Sequence, residues 1–171
     1  MIKGKTYTLI PGVYTPPAKL VKRFTERIHD DEWEGLRYEQ GVDTISAMRD
    51  LHPHSATVLG DTPKYRYNWV YTDSYCGRHE DQGMGWCALW IVRNPARVHI
   101  GLEEAPDLKQ RVGDILIFDA HETHWLGHEK ARIGLWCALE LLSQWNKKYR
   151  RPTPNEILEH MLEVQHLIEK S

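Results

Sequence analysis

The sequence predicts a mainly β domain: a sandwich or barrel of short strands with helices packed on its outside. Two observations carry this expectation. Between about residues 64 and 142 the apolar residues either alternate with a period of two or run together over strand-length stretches. Turn signals break them at short intervals, as stacked or closed antiparallel sheets require. On either side of that region the period changes to that of a helix, preceded by helix-start signals. A chain of 171 residues can bury one sizeable core and is short for two, so residues 1–171 are expected to form a single domain.

The first element is a short alternating strand, Tyr7-Thr8-Leu9-Ile10, stopped by Pro11-Gly12. Thr15-Pro16-Pro17 then reads as a helix start, with Thr15 as N-cap and Pro16 at the first helical position. Leu20, Val21, Phe24 and Ile28 recur on one face of that helix, and Lys19, Lys22, Arg23 and Arg27 are left for solvent. A second short helix is expected from Asp43, with Ile45, Met48 and Leu51 inward. Pro53 ends it, because proline disfavours the helical conformation in the residue before it. In the next segment Tyr65, Tyr67, Trp69 and Tyr71 alternate with Arg66, Asn68, Val70 and Thr72, which is a strand pattern closed by the Thr72-Asp73-Ser74 turn. Further strands are expected at Trp86–Val92, Val98–Leu102, Ile115–Phe118 and Ile133–Leu142, with Asn94-Pro95-Ala96 and Gly113-Asp114 as turns. The basic stretch Lys147–Arg151 links the strands to a last helix at about residues 154–169. Thr153-Pro154-Asn155-Glu156 forms its capping box, and Ile157, Met161, Val164 and Ile168 form its inward stripe.

Composition excludes several classes. The apolar fraction of 41% and charged fraction of 27% are those of an ordinary globule. A net charge of −2 gives no general attraction to nucleic acid or to an anionic membrane, and no apolar run reaches spanning length. Met1-Ile2-Lys3-Gly4-Lys5 has no apolar stretch behind it, so no signal peptide is expected. Cys76, Cys87 and Cys137 are odd in number and unclustered, which suits reduced thiols and a cytoplasmic location.

The residues that suggest chemistry are His79-Glu80-Asp81 and the segment from Gly113-Asp114 through Phe118 to His121 and His124. Alternate residues at a strand end project to the same side, so His79 and Asp81 can face one metal ion while Glu80 turns away. A third ligand has to come from a distant segment, for which His121, His124 and His128 are available. Two histidines and one carboxylate are the facial triad of non-haem Fe(II), which leaves metal positions open. A second His-Asp pair, His29-Asp30-Asp31, sits at the polar end of the first helix with no strand leading into it.

This constellation resembles the Fe(II)/2-oxoglutarate-dependent oxygenases over about residues 64–142. In that family a Gly-Asp turn opens an apolar strand ending in Phe, and the distal histidine follows at about the offset of His124. The resemblance implies a double-stranded β-helix (jelly-roll) core. It implies Fe(II) on His79, Asp81 and His124, with 2-oxoglutarate and O2 as cosubstrates. The far carboxylate of 2-oxoglutarate is expected on Arg132, with Lys130 as the substitute, and Tyr67, Asn68 or Tyr71 is expected to hydrogen-bond the cosubstrate. A Gly-Gly-x-Thr-x-Phe segment seen in the prolyl-hydroxylase-like branch is replaced by Val98-His99-Ile100-Gly101-Leu102. The expected reaction is hydroxylation of a C–H bond in a protein side chain, a nucleobase or a small metabolite, by a monomer or homodimer. Trp86 and Trp90 can line a substrate mouth or fill the core. Two other readings are a cupin-like metal enzyme that does not use 2-oxoglutarate and a non-catalytic binding module on the same fold.

Overall fold

The computed structural model describes residues 1–12, 16, 18, 22, 37–39, 65–72, 75–81, 84–129, 133–134, 136–144, 153, 155–156, 158–159 and 162. Among them lie ten strands: β1 (Ile2–Lys3), β2 (Tyr7–Ile10), β3 (Arg37–Glu39), β4 (Tyr65–Thr72), β5 (Cys76–His79), β6 (Met84–Arg93), β7 (Ile100–Leu102), β8 (Ile115–Asp119), β9 (His124–Leu126) and β10 (Trp136–Gln144). Seven of them form one antiparallel sheet in the order β1-β2-β8-β6-β10-β4-β3, and three form another in the order β5-β9-β7. From β4 onward the chain changes sheet at every strand. That alternation is a double-stranded β-helix, the fold expected above.

The central strands of the large sheet read as unbroken apolar runs because both of their faces are buried. On the inner face Leu89, Leu116 and Phe118 meet Ile100, Leu102 and Leu126 of the small sheet in one core. On the other face Trp90, Ile117 and Leu139 are also fully buried.

At one end of the barrel, polar side chains replace strand pairing. Asn94 takes both backbone groups of Val98: its Oδ1 accepts the Val98 N–H at 3.0 Å, and its Nδ2 donates to the Val98 carbonyl at 2.8 Å. The buried Gln110 treats Ile100 in the same way, at 2.6 and 3.0 Å. β7 starts at Ile100, two residues later than expected. The Gly113-Asp114 turn has two separate requirements. Gly113 adopts φ 94°, a conformation costly for any residue with a Cβ. Asp114, 4% exposed, accepts the Gly12 N–H at 2.5 Å and the Arg111 N–H at 2.8 Å, tying the end of β2 to the start of β8.

The expected strands in 7–10, 65–72, 86–92, 100–102 and 115–118 are present. The last strand begins at Trp136, not at Ile133, because Gly134 turns the backbone at φ 65°. β1, β3, β5 and β9 were not foreseen; they are two to four residues long. Ala18 and Lys22 are helical, as are Asn155, Glu156, Leu158, Glu159 and Leu162. The capping box is formed: the Thr153 N–H donates to Glu156 Oε2 at 2.9 Å, and the Glu156 N–H donates to Thr153 Oγ1 at 3.3 Å. The expected helix from Asp43, the inward stripes of the first and last helices and the Lys147–Arg151 link lie outside the described residues. Among the described residues no helix is long and apolar enough to cross a membrane.

Asp114→Ala leaves two backbone donors without their acceptor and should lower the unfolding free energy by about 2–3 kcal/mol. Asp114→Asn keeps one acceptor and should lose less. Urea denaturation of the three proteins checks the order.

Candidate metal centre

The centre is built by the pairing of two short strands. β5 and β9 run antiparallel with His79 directly opposite His124, and β7 flanks β9 with Leu102 opposite His124. Directly opposed residues share a face. The two imidazoles therefore emerge on the same side, with ring centroids 4.2 Å apart and planes tilted by 60°. Asp81 follows two residues after His79. Its position is fixed by backbone bonds: the Asp81 N–H donates to the Ala120 carbonyl at 2.9 Å, and the Ala120 N–H donates to the Gly85 carbonyl at 3.1 Å.

One potential ligand atom from each of His79, Asp81 and His124 lies within 4.8 Å of the others, the grouping of this kind among the described residues. Asp81 Oδ1 is 3.8 Å from His79 Nε2, and Asp81 Oδ2 is 3.2 Å from His124 Nε2. Each histidine is fixed from behind. His79 Nδ1 lies 2.7 Å from the Gly77 carbonyl, and His124 Nδ1 lies 2.7 Å from the Glu122 carbonyl. A carbonyl only accepts, so each Nδ1 carries the proton and each Nε2 turns toward the carboxylate. Two fixed imidazole nitrogens and a carboxylate fit a divalent first-row metal, and Fe(II) in particular.

Electrostatics agree with this geometry. The hydrogen bond from His124 holds the Asp81 carboxyl below its usual range, although burial pushes it up. Burial pushes His124 down, but its bonds to Asp81 and to the Glu122 carbonyl outweigh that, and its affinity for a proton is raised. Asp81 therefore attracts a cation, and with no metal present the proton on His124 serves as that cation.

The triad lies on the wall of a cavity whose other walls include Leu89, Phe118, Trp125, Trp136 and Glu140. The Phe118 ring stands edge-on to His124 at 5.0 Å. Trp125 was not singled out in the sequence. It lies flat against β7 because Gly101 has no side chain; a Cβ there would sit 2.0 Å from the indole. The Arg78 guanidinium covers its ring at 3.9 Å and also pairs with Glu103 at 3.1 Å. A glycine in mid-strand was the available signal for such close approach. Glu140 was also missed; it is 6% exposed, in a strand that reads as core.

The other candidates are placed as follows. His121 is exposed in the turn after β8, and His128 is exposed beyond β9; neither joins the group. Glu80 turns away and accepts from Thr123 Oγ1 at 3.3 Å. Cys76 is half-buried, its Sγ 3.9 Å from His79 Nδ1, and burial pushes its thiol up and away from the thiolate a metal would need. Trp90 is fully buried. In β4, Tyr67 pairs with Leu141 and Tyr71 with Cys137. That set alternates with Val70, which lines the cavity and pairs with Ala138; Asn68 pairs with the cavity residue Glu140. Lys130, Arg132 and His29-Asp30-Asp31 lie outside the described residues.

No protein-family model matches the chain, and no curated protein matches it. Solved structures do. The epimerase SnoN, in complex with Fe3+, alpha ketoglutarate and nogalamycin RO, aligns with a TM-score of 0.54 at 14% identity, covering 81% of this chain and 78% of its own. HygX from Streptomyces hygroscopicus, with nickel and 2-oxoglutarate bound, gives 0.53 at 10% identity, covering 88% and 89%. A prolyl-4-hydroxylase from Pseudomonas putida gives 0.50 at 11% identity, covering 82% and 93%. The chain thus has the fold of solved 2-oxoglutarate–Fe(II) oxygenases.

A metal that binds here must expel the proton from His124. Its affinity should climb with pH, by up to about tenfold per unit, until the raised pKa of His124 is passed, and then level off. Cobalt(II) titrations from about pH 5.5 to about pH 8.5 check this. An affinity that does not change with pH contradicts it.

Proposed function

We propose that the protein is an Fe(II)- and 2-oxoglutarate-dependent dioxygenase that hydroxylates a C–H bond of its substrate and releases succinate and CO2. The observation that carries this reading is the convergence of His79, Asp81 and His124 on the wall of a largely apolar cavity. His79, Asp81 and His124 would hold a ferrous ion and would leave metal positions open for 2-oxoglutarate and O2. When bound, the iron supplies O2 activation coupled to oxidative decarboxylation of the cosubstrate.

The chain's own residues bind, orient and exclude water. His79 and His124 present fixed tautomers, and Asp81 supplies the anionic donor. Leu89, Phe118 and Trp136 keep the cavity wall apolar. We assign the far carboxylate of 2-oxoglutarate to Arg132, whose guanidinium can bind it as a bidentate fork, with Lys130 as the alternative cation. For the hydrogen bond to the cosubstrate we keep Tyr67 and Tyr71 of β4, with Asn68 as the alternative. The substrate is a protein side chain, a nucleobase or a small metabolite. A cytoplasmic location suits the three free cysteines and a ferrous centre.

Anaerobic addition of Fe(II) and 2-oxoglutarate should produce the weak visible charge-transfer band of the chelate. His124→Ala should abolish the band. Arg132→Ala should weaken 2-oxoglutarate binding by roughly 10–100-fold, the value of a charge-assisted pair. Metal binding with no band overturns the 2-oxoglutarate reading in favour of a cupin-like metal enzyme.

A further inference from the structure

We infer that the end of the barrel remote from the metal centre holds a binding site for a small phosphate-bearing anion. A groove of about 770 Å³ lies between the turn that joins β6 to β7 and the loop ahead of β8. Arg97 and His99 line it from the turn, and Lys109 and Arg111 from the loop. No residue lines both this groove and the metal cavity. The metal end is where Trp86 of β6 pairs with Asp119 of β8, and the groove lies past the Trp90–Ile115 pair at the other end. The strand between those pairs is roughly 13 Å long.

Three features of the groove point to a ligand. The first is charge. Among the described residues Arg97, Lys109 and Arg111 make no ion pair; of the carboxylates nearby, Asp107 acts on His99, and Asp114 is taken up by the Gly12 and Arg111 N–H groups. The chain has 24 acidic residues and a net charge of −2, so composition does not force cations to gather without acids. Like charges around one concave surface repel each other, and a bound anion removes that repulsion.

The second feature is Arg97 itself. It is the non-glycine residue with positive φ among the described residues, at 54°, where it closes a turn through its N–H to the Asn94 carbonyl at 3.2 Å. Glycine or asparagine holds such a position at less strain. The chain instead places a guanidinium there.

The third is rigidity. The Asn94 and Gln110 side chains pin the backbone beneath the groove through their bonds to Val98, Ile100 and Leu108. The cations thus project from a fixed base, which lowers the ordering cost of binding. His99 adds a ring whose Nδ1 is buried with no hydrogen-bond partner among the described residues.

Phosphate is the chemistry that suits two guanidinium forks and an ammonium. The volume is that of a small-molecule pocket. A negative net charge elsewhere disfavours a long polyanion such as nucleic acid.

Pyrophosphate is the probe, titrated calorimetrically into the whole metal-free chain, dialysed free of chelator, at low ionic strength. One pyrophosphate should bind per chain. Arg97→Gly and Arg111→Ala should each weaken it by about tenfold or more, and Lys109→Arg should keep it. Lys5→Ala, exposed near the β1–β2 turn, should leave it unchanged. Arg97→Gly relieves the positive φ, so it should melt no lower than the wild type, and weaker binding by this variant is not unfolding. Absence of saturable binding, or equal weakening by Lys5→Ala, overturns the proposal. So does a short single-stranded oligonucleotide that binds about tenfold tighter than pyrophosphate.

Discussion

The site depends on one strand pairing. β5 has four residues and β9 has three, and neither could hold a partner by itself. Their register nevertheless decides everything at the centre, because it puts His79 opposite His124. A slip of one residue would send the two imidazoles to opposite faces of the small sheet. The register is held from outside the pair. β7 aligns Leu102 with His124, the Glu103 N–H reaches the Thr123 carbonyl at 3.2 Å, and the Asp81–Ala120–Gly85 bonds fix the following loop to the end of β8. The central strands of the large sheet, buried on both faces, are the base on which these short strands are positioned.

The two ends of the barrel are built differently. At the groove end Asn94, Gln110 and Asp114 use side chains to satisfy backbone groups that no strand reaches. Those bonds hold the backbone beneath the groove. At the metal end backbone bonds such as Asp81 to Ala120 and Glu103 to Thr123 position the strands, and His79 and His124 are each fixed through Nδ1 with Nε2 turned to Asp81. The polar groups that do enter this cavity are few, and the Asp81–His124 pair joins a buried imidazole to a half-exposed carboxylate. Its attraction for a cation is a property of the chain before any metal arrives.

The sequence made the long strands legible because their apolar runs or alternations are strong, and it made the triad legible because the ligand types are chemically restrictive. His79 and Asp81 stood out by spacing, and the resemblance to the oxygenase family, carried by Gly113-Asp114 and Phe118, singled out His124 from His121 and His128. The short strands β5 and β9 were illegible. Cys76-Gly77-Arg78-His79 has the composition of a loop, and only pairing in three dimensions makes it a strand. Trp125 and Glu140 were hidden for a related reason: a strand residue's face depends on register, which is set by partners distant in sequence. Gly101 carried a readable signal that only became meaningful once the indole above it was seen.

If the β5–β9 register creates a single metal centre, all three ligands are needed at once. Fe(II) retained after anaerobic gel filtration, counted per chain, measures this. The wild type should keep one ion, and His79→Ala, Asp81→Ala and His124→Ala should each keep none while remaining folded. Retention of iron at the wild-type level by any one of the three would contradict the assignment of that residue, and retention by two would dissolve the centre.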